Sequence, residues 1–444
     1  MGNKVSLLEH HVTRTIVRLT GPMIFGMLGM MIYNLIDTYY VSLLGTRELA
    51  ALSFTYPVVL IVNSVSLGIG MGTTSVVARA MGEDRYDLVV ARSTDSLILG
   101  ILISVVFSTI GVLTIRPVFR LLGAQGEVLE IIVSYMRIWF IGSVFVVVPM
   151  IGNSVLRALG DTKAPSYVML FSALVNAVLD PILIFGLGPF PRLEVPGAAI
   201  ATVIARMITF IAALYLLYHR ERVLSFKPMV FKALMDSFKA ILYIGIPNAF
   251  IRMVQPFGVG IITALLAAIS VESVAGFGIA AKVERFSIIV IAALSVVMIP
   301  YIGQNYGAKA YGRIKEGLRA SYRIIALSSA VVYGLLFFLA PYIGGLFSED
   351  QGVIEVFVTY SRIVPLFYGV YGLQLMGNSF YNAVNSPFIA AAITIIQMFV
   401  VFIPLGFLLR IFLGYVGVFL ALGLSFLVTG ALALWMVSRR MKTW

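Results

Sequence analysis

Residues 21–45 read GPMIFGMLGMMIYNLIDTYYVSLLG, an apolar run whose one charged side chain is Asp37. A helix needs about 20 apolar residues to cross the hydrocarbon core of a bilayer, so this run is long enough to span a membrane. The whole chain of 444 residues is 60% hydrophobic and 12% charged, whereas soluble domains carry about 25% charged residues. The sequence therefore predicts an all-α membrane protein rather than one large soluble core.

Similar apolar runs recur along the chain and predict twelve membrane-spanning helices. We place them at residues 15–42, 49–78, 93–115, 131–156, 166–187, 196–217, 240–268, 274–303, 323–347, 355–381, 388–409 and 414–437. With both termini on one side of the membrane, that side holds about 21 of the 32 Lys and Arg residues, and the other side holds about 5. Because cytoplasmic loops carry the basic excess, we expect a multi-pass protein of the plasma or inner membrane with both termini cytoplasmic.

Composition also excludes several classes of function. The net charge is +12, but the basic residues lie in short loops and no nucleic-acid-binding motif accompanies them, so we expect no nucleic-acid partner. The chain has no cysteine, and its three histidines, His10, His11 and His219, lie outside the spans. We therefore expect no transition-metal site and no cofactor. Neither a converging catalytic set nor a phosphate-binding GxxxxGK[ST] motif is visible, so we expect neither an enzyme nor an ATP-driven pump.

The two halves of the chain resemble each other when one is shifted by 225 residues against the other. Matches at this one offset include Pro22 with Pro247, Gly82 with Gly307, Tyr135 with Tyr360, Arg137 with Arg362, and the GNS triplets at 152–154 and 377–379. Six spans in each half return the chain to the same side, so the two repeats are parallel. We predict an N-terminal lobe at 1–218, a cytoplasmic linker at 219–239 and a C-terminal lobe at 240–444.

The chain resembles the multidrug and toxic compound extrusion family, in particular its archaeal and DinF-like branch. The resemblance covers nearly the whole chain and rests on the run at 21–45, on GNSVLRALGDTKAP at 152–165, on NAVLDPILIFGLG at 176–188 and on VPGAAIATVIA at 195–205. It implies two pseudo-symmetric six-helix lobes in a V around a central cavity. It further implies export of amphipathic, often cationic compounds, driven by the re-entry of Na⁺ or H⁺.

Polar residues in the outer part of the first lobe form the candidate coupling site. Asp37 lies late in the first span and Asp180 late in the fifth, both of which run outward, and Thr202 lies at a matching depth in the sixth. Asn34 and Asn176 share helix faces with the two acids. Acids within a membrane are costly and usually functional. We expect a pocket that binds a proton or, through the oxygens of Asp37, Asn176, Asp180 and Thr202, a Na⁺ ion. The alternative is that both acids only bond neighbouring helices.

The second lobe does not repeat this site, since Ile262 and Leu405 stand opposite Asp37 and Asp180 at the 225-residue offset. Glu284 is its one clear intramembrane acid, either functional or in a local ion pair with Lys282 or Arg285. Gln255 either lines a cavity or makes a packing hydrogen bond.

Two arginines within the spans suggest further interpretations. Arg206, one turn from Thr202, stabilises a carboxylate if it reaches Asp180, which opposes proton uptake. If Arg206 and Arg252 instead face a cavity, they favour an anionic cargo. A third interpretation is that their side chains reach toward the membrane surface or bond a neighbouring helix and have no role in transport.

The resemblance, taken with the candidate coupling site, implies a monomeric secondary antiporter in the lipid bilayer that exports amphipathic, cationic drugs or toxic compounds by alternating access. A lipid-linked oligosaccharide flippase of the same superfamily is the alternative. Such a flippase needs a basic cavity, which Arg206 and Arg252 supply if they face it. A channel is disfavoured by the off-axis acidic site.

Overall fold

The structure, a computed structural model, describes residues 7–225 and 230–444, and every regular element within them is helical. The first half contains α1 (Val12–Ser42), α2 (Thr46–Gly82), α3 (Tyr86–Leu121), α4 (Gly126–Ile141), α5 (Val144–Ala158), α6 (Lys163–Phe185) and α7 (Glu194–Tyr215), which continues as a π-helical turn, Leu216–Arg220. The second half contains α8 (Phe231–Ala267), α9 (Val271–Ser287), α10 (Ile289–Gly307), α11 (Tyr311–Phe347), α12 (Gln351–Ile363), a 3₁₀ turn (Val364–Phe367), α13 (Tyr368–Ala383), α14 (Pro387–Ile395), a π-helical segment (Ile396–Phe402) and α15 (Ile403–Met441).

These helices account for the twelve predicted spans. The fourth span is bent by 45° between α4 and α5. The eighth is interrupted at Ile288, and the tenth contains the 3₁₀ turn. The last two spans form one continuous helical stretch, Pro387–Met441, in which Gly414 has a φ of 56° and breaks the helical path. The prediction of an all-α protein with twelve membrane-spanning helices is confirmed.

The described chain divides into two compact units. The first contains residues 21–225 and 230–249, and the second contains residues 7–20 together with 250–444. The repeat-equivalent helices α1 and α8 are therefore each divided, with their starts packed in the unit built mainly by the other half. The predicted lobe boundaries at 218 and 240 stay a prediction, and residues 226–229 of the predicted linker lie outside the described residues.

Three glycines bring α2 and α8 together within the first unit. A Cβ atom added to Gly68 would lie 2.5 Å from the carbonyl oxygen of Gly245, and one added to Gly72 would collide with the carbonyl oxygen of Ile241. Because no side chain separates the helices here, their backbones meet directly, as small residues allow in membrane proteins. This crossing fixes the starting part of α8 in the first unit.

The segment before α1, residues 7–11, is held in the second unit by α10 and α11. Arg313 donates from Nη2 to the carbonyl oxygens of His10, at 2.7 Å, and Leu7, at 3.2 Å. Asn305 donates to the same Leu7 oxygen at 3.2 Å. The side chains of Leu7 and Ile16 are fully buried. We call residues 7–11 the N-terminal strap.

Replacing Arg313 with alanine should release the N-terminal strap, because both of the bonds that its Nη2 atom makes to the strap are lost. We expect amide hydrogen exchange within residues 7–20 to become faster while exchange in α3 stays unchanged. Mass spectrometry of deuterated peptides measures both. Arg319→Ala is the matched control, since Arg319 is exposed on the same helix. Unchanged exchange in Arg313→Ala would show that buried Leu7 and Ile16 hold the strap without the arginine.

Candidate functional site

Helix α6 places a buried acid and its amide partner in the first unit. Asn176 and Asp180, one turn apart, have no solvent-exposed surface. The Asn176 side-chain nitrogen donates to Oδ1 of Asp180 at 3.1 Å. Oδ2 of Asp180 and Oδ1 of Asn176 have no hydrogen-bond partner. Since buried polar atoms are nearly always paired in native proteins, these two oxygens are candidate acceptors for a cation or a proton.

Helix α7 packs against α6 and contributes Thr202. The two helices are fixed together by Ser172, whose hydroxyl donates to the carbonyl oxygen of Ala205 at 2.9 Å. The hydroxyl groups of Thr202 and Tyr33 lie 3.2 Å apart, so α1 and α7 are bonded to each other. One turn further along α7, the guanidinium of Arg206 lies 5.4 Å from the centre of the Tyr33 ring.

Helix α1 places Asp37 beside this group. Asp37 is half-buried, and its charge acts on both Asp180 and Tyr33. The charge of Arg206 acts on Asp37 and on Tyr33, and Arg206 is not among the groups acting on Asp180. Among the described residues, Arg206 makes no hydrogen bond with Asp180 and no ion pair within 4 Å of it.

Tyr135 on α4 is buried, and its phenol interacts electrostatically with Asp37, Tyr33 and Asp180, so it belongs to the same neighbourhood. We call Tyr33, Asp37, Tyr135, Asn176, Asp180 and Thr202 the acid site. Four of its six members were predicted from the sequence, and their coupling role stays a prediction. Asn34 is exposed on α1, and the structure does not bring it into the site.

Sequence reasoning missed the two tyrosines as members of the site. A signal existed for each of them. Tyr33 lies four residues before Asp37, which puts both side chains on one face of α1. Tyr135 is one of the residues matched in the repeat, opposite Tyr360.

The second unit pairs the equivalent tyrosine with its own acid. The Tyr360 hydroxyl donates to Oε2 of Glu284 at 2.8 Å. Lys282 and Arg285 are exposed, and no ion pair between described residues includes Glu284. Of the two interpretations of Glu284, the local ion pair is thus not formed within 4 Å among the described residues, although the charge of Arg285 acts on Glu284, and the hydrogen-bond partner of Glu284 is a tyrosine on α12.

The other residues singled out in the second half lie on α8. Arg252 is half-buried, and both its charge and that of Glu284 act on Tyr371. Gln255 is exposed. Neither residue belongs to the acid site.

Replacing Glu284 tests the contribution of its bond to Tyr360. Glu284→Gln keeps an acceptor for the buried tyrosine, so we expect thermal stability close to wild type. Glu284→Leu leaves the hydroxyl without that acceptor and should lower the unfolding free energy by about 1–3 kcal/mol. Thermal unfolding in detergent, followed by tryptophan fluorescence, compares the two variants. Equal stability of the Leu and Gln variants would show that the bond contributes nothing to the fold.

Comparison with known proteins gives a consistent assignment. The MatE family model matches residues 22–182 and 247–408, one copy in each half, which confirms the internal repeat. The FAD transporter of Shewanella oneidensis is 33% identical over 99% of this chain and 97% of its own length. Multidrug export protein MepA of Staphylococcus aureus is 25% identical over 92% of this chain and 89% of its own length.

Two solved structures share the fold. The bent form of the Vibrio cholerae MATE transporter VcmN has a TM-score of 0.92 at 24% identity, covering 97% of each chain. A MOP superfamily transporter from Pyrococcus furiosus has a TM-score of 0.89 at 23% identity, covering 99% of this chain and 98% of that one. The resemblance noted from the sequence is thus confirmed at family level, while the archaeal and DinF-like branch stays a prediction. The chain belongs to the MatE family of multi-pass membrane transporters and is a transporter rather than an enzyme.

Proposed function

We propose that the protein is a cation-coupled secondary antiporter of the plasma membrane, which exports amphipathic compounds by alternating access. The observation that carries this proposal is the unpaired Oδ2 of Asp180, an acceptor with no exposed surface beside a second acid. A carboxylate at such a position is costly unless it gains a cation. Binding of a cation therefore changes the relative free energies of the transporter's conformations.

Coupling follows when cation and cargo prefer different conformations. A ligand shifts a conformational equilibrium only through a difference in affinity between the two states. Three helices, α1, α6 and α7, meet at the acid site, so neutralising Asp180 changes the forces among all three. A conformation that the cation stabilises is then one from which the cargo has been released.

The cargo has two candidates. Amphipathic organic cations are favoured by the likeness to a multidrug export protein. A flavin dinucleotide is favoured by the relative with 33% identity, which is named an FAD transporter. Arg252, on α8, supplies a cation within the spans that an anionic cargo needs and that a cationic cargo does not.

Purified protein in liposomes tests the proposal. Transport of a fluorescent cationic dye and of FAD is measured under an imposed pH gradient, an imposed Na⁺ gradient and no gradient. We expect one cargo to move against its own gradient only when an ion gradient is present, and Asp37→Asn to reduce that movement strongly. If neither cargo responds to either gradient, and the protein instead scrambles a lipid-linked oligosaccharide, the antiporter proposal is wrong and the flippase replaces it.

A further inference from the structure

The guanidinium of Arg206 is positioned beside the acid site by an aromatic ring. The Arg206 guanidinium lies over the Tyr33 ring at 5.4 Å, and the Tyr33 hydroxyl is bonded to Thr202, one turn away on the same helix. An aromatic face attracts a guanidinium, most strongly where water is scarce. Because Tyr33 is buried and bonded at its hydroxyl end, it holds the cation in one place.

The positive charge acts on the two acids unequally. Arg206 acts on Asp37, whereas the groups that act on Asp180 are Asp37 and the Asn176 side chain. No hydrogen bond or ion pair within 4 Å joins Arg206 to either acid in the described chain. The guanidinium is thus a nearby counter-charge for Asp37, but it is not hydrogen-bonded to either carboxylate.

The charge of Arg206 disfavours any added cation at the acid site, and the need for several oxygen ligands makes Na⁺ more disfavoured than a proton. The guanidinium of an arginine carries a full positive charge and offers only hydrogen-bond donors. A Na⁺ ion held between Asp37 and Asp180 would approach this fixed like charge in a partly desolvated site. It would also need several oxygen ligands, and Thr202, one of the predicted ligands, already bonds Tyr33.

We propose that Arg206 is a resident cation of the acid site that excludes Na⁺, so that a Na⁺ gradient does not drive this transporter. The inference rests on the proposed function, since it concerns the ion at the same site. Recognition of an anionic cargo by Arg206 is less favoured, because such a cargo would meet the charge of Asp37.

The exclusion has an expected size. At an effective dielectric constant of about 20, two like charges separated by about 6 Å repel strongly enough to weaken cation binding roughly a hundredfold, and we take this as the scale of the effect. Removing the charge should therefore reveal Na⁺ binding, provided that the carboxylates and Asn176 remain. Lysine at the same position keeps the positive charge and should keep the exclusion.

Radioactive ²²Na⁺ binding to purified wild-type, Arg206→Gln, Arg206→Met and Arg206→Lys protein tests the inference, with thermal unfolding in NaCl against KCl as a second readout. We expect no specific Na⁺ binding and equal stability in both salts for wild type and Arg206→Lys. We expect about tenfold to hundredfold tighter Na⁺ binding and a Na⁺-specific stabilisation for the Gln and Met variants.

Two outcomes overturn the inference. The first is specific Na⁺ binding or Na⁺-driven transport by the wild type. The second is a folded Gln or Met variant that gains no Na⁺ binding. If the Gln variant then also loses FAD transport, the arginine is assigned to cargo recognition. Failure of the antiporter proposal is distinguishable, because it leaves transport by the wild type unresponsive to a pH gradient as well.

Discussion

Asp180→Asn should reduce ion-driven transport to the level of protein-free liposomes without harming the fold. Asparagine has nearly the shape of aspartate, and its side-chain oxygen still accepts the hydrogen bond from Asn176. The substitution removes the ionisable group from a position with no exposed surface. Since a buried charge costs several kcal/mol, thermal stability should equal or exceed that of the wild type.

The measurement is gradient-driven transport in liposomes together with thermal unfolding of the same preparations. Asp236→Asn is the matched control, because Asp236 is exposed on α8. The control should transport at the wild-type rate. Full transport by the Asp180 variant would show that Oδ2 of this residue does not bind the coupling cation, and would leave Asp37 as the remaining acid of the site.

Gly72→Val should strongly destabilise the fold. Its Cβ atom would collide with the Ile241 carbonyl oxygen on α8. A backbone atom cannot move away by changing rotamer, so the two helices must separate. Overpacking of a core usually costs about 1–3 kcal/mol and occasionally more, and we expect a loss of about 3 kcal/mol or greater here.

Yield and elution of a fluorescently tagged protein on size-exclusion chromatography measure this loss. Gly334→Val on α11 is the control, because a Cβ atom at Gly334 has no neighbour within 4 Å. We expect the control to elute as a single peak at near wild-type yield and the Gly72 variant to aggregate. Normal elution of the Gly72 variant would show that α2 and α8 tolerate separation.

The helical content was predictable from apolar length, whereas the breaks within spans were only partly so. Gly142 and Pro365 lie at two of the breaks and are visible signals in the sequence. Ile288, at the third break, carries no such signal. A β-branched residue tolerates a helix interior well enough that only packing in the folded chain decides the interruption.

Depth along the helices predicted the acid site better than helix face did. Asp37, Asp180 and Thr202 were brought together by matching depth, and the structure places them in one neighbourhood. Asn34 and Tyr33 lie on opposite sides of Asp37 around α1, at about 60° and about 40°, because successive residues are separated by about 100°. The spacing alone favours neither residue, and in the structure the hydrogen bond between the hydroxyls of Tyr33 and Thr202 places the tyrosine in the site.

The divided helix α1 has a consequence for how the chain is made. The N-terminal strap bonds to residues 298 and 306 positions away, at Asn305 and Arg313. The ribosome therefore releases the beginning of α1 long before its packing partners exist. During synthesis this stretch is therefore without its native partners until α10 and α11 have been made, and it packs against them late in folding. The first residues described in this protein are thus among the last to reach their native contacts.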